Sequence, residues 1–399
     1  MTIDFKDEAK CISDKLIRIR RFFHENPELS FKEFETGKRI VELLEESEIE
    51  VIENVGKTGV VGILKGGKPG KVVALRADID ALPITEMNDV EYKSKIEGVM
   101  HACGHDSHAT SLLGAAMLLG KVRKDLKGTV KFIFEPAEEI NQGAKAMIED
   151  GVLENPKVDA IFGLHNSPNI PAGSVGVKEG PLMAAVDTTG IRIYGESSHG
   201  AIPDRGRDAI LAASAVVMNL QSIVSRKISA FQTAVISIGT INGGKANNVI
   251  SEYVEMTGTC RTYDPKVREQ LPRLMKNIIQ KTCEAYNAAG ELEYEFTLPA
   301  VINERETTAI GRKAVSKIVG DDGIVIPELT GGGEDFALYQ EQVPGCFYFL
   351  GVRNEERGIV HEWHSQEFDI DESALCIGAG ILAQSAFDFL EKESSDGMQ

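Results

Sequence analysis

Five short clusters of cysteine, histidine and carboxylate residues are spread along this chain of 399 residues. They lie at residues 78–83 (DIDALP), 101–106 (HACGHD), 135–139 (EPAEE), 165–166 (HN) and 361–364 (HEWH). Thiolate and imidazole groups suit zinc and related divalent metals, and carboxylates complete many hydrolytic metal sites. Each cluster has a plain structural interpretation when taken alone, but together they predict a hydrolytic metal centre.

The adjacent carboxylates Glu138 and Glu139 suit a division of roles. Neighbouring side chains point in different directions, so one carboxylate can bind a metal while the other faces the attacking water. A carboxylate in that place can take a proton from the water and later deliver it to the leaving amine. The structural alternative is a helix start after Pro136, where the helix dipole favours acidic residues.

Predicted strands place three of the clusters at one edge of a sheet. Four apolar runs are predicted as buried strands, at residues 71–76, 129–134, 158–164 and 345–350. Helical patterns alternate with them, at residues 8–24, 31–48 and 108–119. This alternation predicts an α/β domain with a mostly parallel mixed sheet flanked by helices. Ligands bind at the carboxyl ends of the strands in such sheets, and three clusters follow strands directly.

The middle of the chain has a different pattern. Its predicted elements are strands at 188–194, 233–241, 253–261 and 291–297 and helices at 206–226 and 266–289. The order is β-α-β-β-α-β, which is the ferredoxin-like arrangement. We therefore expect a catalytic domain at residues 1–183 and 298–399, interrupted by an inserted α+β domain at residues 184–297.

Composition and charge narrow the class of protein. The net charge of −18 disfavours binding to nucleic acid or to anionic membranes. The six cysteines show no disulfide spacing, which is typical of a reducing compartment. The first residues, MTIDFKDEAKC, carry no apolar segment of a secretion signal, so a cytoplasmic protein is expected.

Longer motifs resemble the M20 metallopeptidase family over essentially the whole chain. The similarity is closest to its branch of N-acyl amino acid amidohydrolases, which includes hippurate hydrolases and auxin-conjugate hydrolases. The motifs are RADIDALP (76–83), MHACGHD (100–106), FEPAEE (134–139), GLH (163–165), SSHGAIP (197–203), NGGKANNVI (242–250), TGGGEDFA (330–337) and HEWHS (361–365).

The resemblance implies a site for two divalent metals in the larger domain. The implied ligands are Cys103, His105, Glu139, His165 and His364. Glu138 takes the place of the general base and Asp80 that of a residue that orients a ligand. Asp78 stands where the wider family has a metal-binding histidine, so its role is open. The cysteine favours zinc, although manganese, cobalt and nickel remain candidates.

The resemblance further implies that the inserted domain acts as a lid, forms a homodimer and carries groups that contact the substrate. His199 resembles the histidine that stabilises the oxyanion, and Asn247 or Asn248 together with Arg261 resemble residues that hold the substrate carboxylate. Gly333, in a run of glycines, would let the backbone approach the substrate. The alternatives are a histidine in a surface turn, a solvated arginine and a flexible loop.

The expected reaction is hydrolysis of the amide bond of an N-acyl amino acid, which releases a carboxylic acid and a free amino acid. Three alternatives remain open from the sequence. They are a dipeptidase or carboxypeptidase of the same superfamily, an N-acetyl-diaminopimelate deacetylase, and a metal-dependent binding protein without turnover.

Overall fold

The fold is that of a computed structural model that describes residues 3–392. The helices are α1 Phe5–Cys11, α2 Ser13–Glu25, α3 Phe34–Glu45, α4 His105–Lys121, α5 Gly143–Glu149, α6 Ala209–Arg226, α7 Pro265–Ala285, α8 Arg305–Val319, α9 Phe336–Gln340 and α10 Ala374–Glu391. The strands are β1 Glu50–Val55, β2 Gly59–Lys65, β3 Lys68–Asp78, β4 Lys127–Glu135, β5 Ala160–Pro171, β6 Val175–Gly176, β7 Gly180–Met183, β8 Ala185–Tyr194, β9 Ser198–His199, β10 Ala234–Gly243, β11 Val249–Ile250, β12 Tyr253–Thr262, β13 Ala289–Leu298, β14 Val301–Asn303, β15 Ile324–Val325 and β16 Gly345–Arg353.

The described chain divides into two units. The first comprises residues up to 180, then 302–328 and residues from 335 onward, and the second comprises Pro181–Val301 with Leu329–Glu334. The second unit thus contains a short return segment that the expected range 184–297 does not include. The N–H of Ala184 donates to the carbonyl oxygens of Thr330 at 3.1 Å and Gly332 at 3.2 Å, and these bonds tie the return segment to the start of the unit.

The first unit contains a mixed eight-stranded sheet with the order β1-β2-β4-β3-β5-β16-β6-β15. Its inner strands β4, β3, β5 and β16 are all parallel, whereas β1 and β2 extend one edge in antiparallel fashion. Strands β3 and β4 are buried along most of their length, which explains why they are near-continuous apolar runs in the sequence. The predicted α/β class with a mixed sheet flanked by helices is confirmed.

Two helices, α6 and α10, are long and apolar enough to cross a membrane by length and composition alone. Helix α10 is mostly buried and packs on α4 and on β3 in the core of the first unit. Helix α6 buries one face, including Val216 and Leu220, in the core of the second unit. Helix α10 therefore has the packing of a core helix, whereas α6 packs on one face and leaves the other exposed.

The second unit has the predicted β-α-β-β-α-β order, formed by β8, α6, β10, β12, α7 and β13. Its antiparallel sheet has the order β10-β12-β8-β13, which is the ferredoxin-like arrangement. Ile191 and Ile193 of β8 pack with Leu220, Met256 and Ile279 in its core.

A buried ion pair lies at one end of this second sheet. The Asp187 carboxylate is 1% exposed and accepts hydrogen bonds from the Arg268 guanidinium, the closest at 2.7 Å. The Tyr294 hydroxyl donates to the same carboxylate at 2.8 Å. These contacts connect β8, α7 and β13.

Candidate metal centre

The sheet of the first unit brings several predicted site residues together. Asp78 at the end of β3 is aligned with Glu135 at the end of β4, and Arg76 is aligned with Gly163 of β5. The segments that follow these positions therefore leave the sheet at the same edge. They carry Asp80, Glu138, Glu139 and His165.

Cys103 and His105 reach this edge from the start of α4. Between them Gly104 adopts a left-handed conformation with φ 80°, and a Cβ there would lie 2.4 Å from the Asn166 amide nitrogen. Only glycine fits such a position without strain. The turn places the thiol and the imidazole beside each other on a buried helix terminus.

The five predicted ligands lie in one cluster. Three of them, Cys103, His105 and His165, have candidate ligand atoms within 4.8 Å of one another, and so do Cys103, Glu139 and His364. The Cys103 Sγ lies 3.5 Å from His165 Nε2. Glu139 Oε1 is 3.8 Å from His105 Nε2 and its Oε2 is 3.5 Å from His364 Nε2. Glu139 therefore lies between two imidazoles, as a bridging carboxylate would.

The chemistry of this cluster fits divalent cations. The buried atoms His105 Nε2 and Glu139 Oε1 have no hydrogen-bond partner among the described residues. Burial lowers the pKa of His105, but the carboxylates of Asp78 and Asp80 outweigh it and raise the pKa to about 10. Burial, together with Glu139 and then Glu138, raises the pKa of the Cys103 thiol well above its usual value. The surrounding negative potential thus favours added positive charge at these atoms.

Asp80 contacts one of the imidazoles. Its Oδ1 lies 3.1 Å from His105 Nδ1, which leaves Nε2 directed toward the cluster. Its Oδ2 accepts the Glu139 N–H at 3.1 Å and the Ser30 hydroxyl at 2.7 Å. A carboxylate that holds the distal nitrogen of a histidine is the usual support of a metal ligand.

Asp78, whose role the sequence left open, takes part in a buried hydrogen-bond chain. Its Oδ2 accepts from Arg76 at 2.8 Å and its Oδ1 lies 2.6 Å from His108 Nδ1. His108 Nε2 in turn accepts the backbone N–H of Asn166 at 2.8 Å and lies 2.7 Å from its side-chain nitrogen. Both ring nitrogens of His108 are therefore occupied by protein groups.

Asn166 extends this chain to two more parts of the cluster. Its side-chain nitrogen donates to the Cys103 carbonyl at 2.6 Å, and its oxygen accepts from Trp363 Nε1 at 3.0 Å. The neighbouring His364 adopts φ 64° and its N–H donates to the Ala102 carbonyl at 2.9 Å. The chain thus connects the loops that present Cys103, His165 and His364.

His108 was not among the residues predicted from the sequence, and Asn166 had no separate predicted role. A usable signal existed for His108, because it follows His105 by three residues and such residues share a face of a helix. Asn166 carries no such signal, since its contacts are to residues far away in the chain.

Glu138 begins a short 3-10 helix, Glu138–Ile140, that lies beside the cluster. Its Oε2 is 4.0 Å from His105 Nε2, and the side chain keeps 9% of its surface exposed. The flanking residues Ala137 and Asn141 both adopt left-handed conformations, with φ 54° and φ 57°. This turn fixes the direction in which the carboxylate points.

The remaining predicted residues lie in the second unit. His199 in β9 pairs with Val249 in β11, and the Gly200 N–H donates to the Asn248 carbonyl at 2.7 Å. Asn247 lies beside Asn248 in the same exposed loop. His199 and these two asparagines are therefore brought close together within this unit.

Arg261 and Gly333 are placed elsewhere in the second unit. The Arg261 guanidinium donates to the Gly331 carbonyl at 3.0 Å and to the Cys260 carbonyl at 3.1 Å. A Cβ at Gly333 would lie 2.6 Å from a methyl group of Val186. Arg261 thus contacts the glycine run that contains Gly333.

Comparison with known proteins places the chain in a family. Residues 74–388 match the model of peptidase family M20/M25/M40. The chain belongs to the M20 family. It is 45% identical over 383 residues to an N-acetylcysteine deacetylase of Bacillus subtilis, covering 96% of this chain and 98% of the relative. It is also 43% identical over 391 residues to a thermostable carboxypeptidase 2 of Saccharolobus solfataricus, and this match covers 97% of this chain and 98% of the relative.

A solved M20 structure agrees with this assignment. A dinuclear metal-binding peptidase from the M20 family of Bacillus subtilis superposes with a TM-score of 0.85 and 42% identity, covering 96% of this chain and 99% of that one. The resemblance found in the sequence is therefore confirmed. This M20 chain is a hydrolase of the peptidase and amidohydrolase type.

Proposed function

We propose that this M20 hydrolase uses two divalent metals to hydrolyse the amide bond of N-acyl amino acids, with release of a carboxylic acid and a free amino acid. The observation that carries the proposal is the convergence of five ligand-type side chains on one cluster, buried except toward the exposed His364, with a sixth group, Glu138, beside it. The similarity to an N-acetylcysteine deacetylase supports an N-acyl amino acid as the substrate class.

The proposed ligands are those that the family resemblance implied, namely Cys103, His105, Glu139, His165 and His364. Glu139, whose two oxygens lie near His105 and His364, would serve as a ligand shared by both metals. Thiolate and imidazole ligands favour zinc, and manganese, cobalt and nickel are compatible with the same set. Asp80 supports the set through His105 rather than by binding a metal.

Bound divalent metals supply Lewis acidity, which polarises a carbonyl oxygen and lowers the pKa of water. The protein's own contribution to the reaction is the movement of the proton. Glu138 lies beside the cluster, with 9% of its side chain exposed, and its carboxylate would take a proton from the attacking water. The same carboxylate then protonates the amine as the amide bond breaks.

The second unit is proposed to supply the groups that recognise the substrate. His199 would stabilise the oxyanion that forms at the carbonyl. Asn247, Asn248 and Arg261 would hold the substrate carboxylate, and the arginine fork suits bidentate binding. Gly333 would allow close approach of the backbone.

Carboxypeptidase activity is a second candidate, because one full-length relative is named a thermostable carboxypeptidase. The two activities differ in the group on the acyl side of the scissile bond. A panel of N-acetyl and N-benzoyl amino acids, measured against N-blocked peptides and dipeptides with a free amino terminus, separates them. Highest kcat/KM on peptides would replace the proposed substrate class.

The role of Glu138 is tested by the substitution Glu138→Gln. Glutamine keeps the size of the side chain but cannot accept the proton, so we expect kcat to fall by about 100-fold or more. Metal content, measured by elemental analysis, should stay at the wild-type value. Turnover within about tenfold of wild type would contradict the role of general base.

We further propose that the protein is a cytoplasmic homodimer formed through the second unit. Helix α6 exposes Ile210, Leu211 and Met218, and β10 is an edge strand of its sheet. An open strand edge next to exposed apolar side chains favours pairing with another chain. Light scattering should show a dimer that Met218→Asp weakens, whereas a wild-type monomer at micromolar concentration would contradict it.

A further inference from the structure

The segment between α2 and α3 lies against the turn that carries Glu138. Within it, the Glu33 side chain is fully buried and its carboxylate accepts three hydrogen bonds. Its Oε1 accepts the N–H of Phe31 at 2.9 Å and that of Ala137 at 3.0 Å, and its Oε2 accepts the Thr58 hydroxyl at 2.5 Å. A buried carboxylate that joins three distant segments has no part in the cluster of metal-ligand residues.

The contact with Ala137 is the important one, because Ala137 is the residue directly before Glu138. Ala137 is buried and adopts the left-handed conformation with φ 54° and ψ 36°. A Cβ disfavours that conformation, so it persists only where surrounding contacts hold it. Glu33 supplies such a contact by accepting the Ala137 N–H.

The other side of the turn is closed by the backbone. The Ala137 carbonyl accepts the N–H groups of Gln142 and Gly143, both at 3.2 Å. A Cβ at Gly143 would lie 1.7 Å from the Pro136 carbonyl oxygen, so the turn has no room to adjust there. Loss of the Glu33 contact would therefore free the N–H of the Pro136–Ala137 peptide and let φ of Ala137 change, while the Ala137 carbonyl stays held by Gln142 and Gly143.

A neighbouring residue supports the other glutamate of the pair. The Ser30 hydroxyl donates to Asp80 Oδ2 at 2.7 Å, and the same oxygen accepts the Glu139 N–H at 3.1 Å. The segment thus supports the Glu138–Glu139 pair at two points, through Ala137 and through Asp80.

We propose that Glu33 is a positioning residue for Glu138, which holds the left-handed turn at Ala137 and so directs the Glu138 carboxylate toward the attacking water. This rests on the proposed role of Glu138. A displacement of about 1 Å of a catalytic group can cost about 100-fold in rate. Glu33 therefore acts on turnover without contact to substrate or metal ligands.

Three substitutions separate positioning from folding. Glu33→Ala removes the contact with Ala137, and we expect kcat on an N-acyl amino acid to fall about 10- to 100-fold with KM changed less than about threefold. Glu33→Gln keeps an oxygen for both N–H groups and should restore kcat to within about threefold of wild type. Thr58→Val removes only the bond to Oε2 and is the matched control, with kcat within about threefold.

A double substitution tests whether the effect passes through Ala137. Glycine adopts the left-handed conformation without the Cβ penalty, so the turn needs less support in Ala137→Gly. The loss of kcat caused by Glu33→Ala should be at least about threefold smaller in the Ala137→Gly background than in the wild-type background. Equal losses in the two backgrounds would contradict transmission through this turn.

Hydrogen exchange of the peptide 134–143 gives a readout that does not need activity. Glu33→Ala should speed exchange in this peptide, whereas Thr58→Val should not. If Glu33→Ala fails to fold, Glu33→Asp replaces it as the variant that loses contacts, because aspartate is too short to keep all three. Glu33→Gln remains the variant that keeps the contacts with both N–H groups. Unchanged kcat and unchanged exchange in a folded variant that has lost these contacts would overturn the proposal. Absence of amine release by the wild type would instead overturn the proposed function, and exchange would still test Glu33.

Discussion

Replacement of His108 by alanine should weaken metal binding without removing a ligand. His108 lies close enough to Asp78 and His105 to be taken for the third member of a metal site. Its Nδ1 faces the Asp78 carboxylate at 2.6 Å, and its Nε2 accepts from Asn166 at 2.8 Å. Burial lowers the pKa of His108, in keeping with a neutral ring that donates at one nitrogen and accepts at the other. No lone pair is left for a cation.

The magnitude follows from the groups that His108→Ala would leave unpaired. Asp78 Oδ1 and the Asn166 backbone N–H would each lose a buried partner, at about 1–3 kcal/mol apiece. The space left by the imidazole adds about 2 kcal/mol. We therefore expect the free energy of unfolding to fall by about 4–8 kcal/mol, a large part of a typical stability of about 5–15 kcal/mol. Loss of a supporting contact should also lower metal affinity by about 10- to 100-fold.

Two measurements test this prediction. Denaturant unfolding gives the stability, and competition with a chelator gives the metal affinity and the stoichiometry. At saturating metal, His108→Ala should bind as many equivalents as wild type, and His108→Gln, which keeps a donor and an acceptor, should lose less affinity. One equivalent fewer in His108→Ala, with stability unchanged, would show that His108 is a ligand and refute the reasoning.

Three further predictions concern stability. Removal of bound metal by a chelator should lower the free energy of unfolding by about 4 kcal/mol per site, if the free metal concentration had been about a thousandfold above the Kd of that site. Thermal unfolding with and without metal measures this loss. Arg268→Ala should destabilise by about 3–5 kcal/mol because it leaves buried Asp187 without its cation, and adding Asp187→Asn should recover part of the loss. Glu304 caps α8 by accepting the N–H groups of Glu306 and Thr307, both at 2.9 Å, and Glu304→Ala should cost about 1 kcal/mol. Burial opposes ionisation of Glu304, but those N–H groups lower the pKa of its carboxyl below 4.5. The stability difference between wild type and Glu304→Ala should therefore be present at neutral pH and disappear as the pH falls below the lowered pKa.

Several elements with a clear apolar pattern could be predicted from the sequence, although the buried strand β2 was missed. Strands β3, β4, β5 and β16 are buried on both faces, and each is a short apolar run. Strand β1 was not predicted because its residues are mostly exposed and so show no apolar run. Helix α10 was not predicted because it is buried nearly all round, which removes the polar face that gives a helix its period.

One helix that was predicted as continuous is two helices in the structure. Residues 8–24 were expected to form a single helix, but α1 and α2 are separated at Ile12, which has φ −102° and ψ 4°. Neither glycine nor proline stands at this position, so the local sequence contains no signal for the break.

The candidate site was predictable where residue type and local spacing define the chemistry. Cys103 and His105 flank a glycine, and Glu138 and Glu139 are adjacent, so a short motif contains the relevant pattern. The contact between Glu33 and Ala137 joins residues 104 positions apart. Only the folded structure brings these two residues together, and the sequence around either residue gives no signal for the contact.

The place of Asp78 is defined by its buried contacts rather than by any motif. The buried guanidinium of Arg76 pairs with Asp78, Glu135 and Asp335, each at 2.8 Å. The Asp78 carboxylate also lies 3.7 Å from His105 Nδ1 and 2.6 Å from His108 Nδ1. A histidine at position 78 could not accept from Arg76 and His108 together, as the carboxylate does. Asp78 therefore connects Arg76 to His108, and His108 in turn accepts the Asn166 N–H beside the ligand cluster.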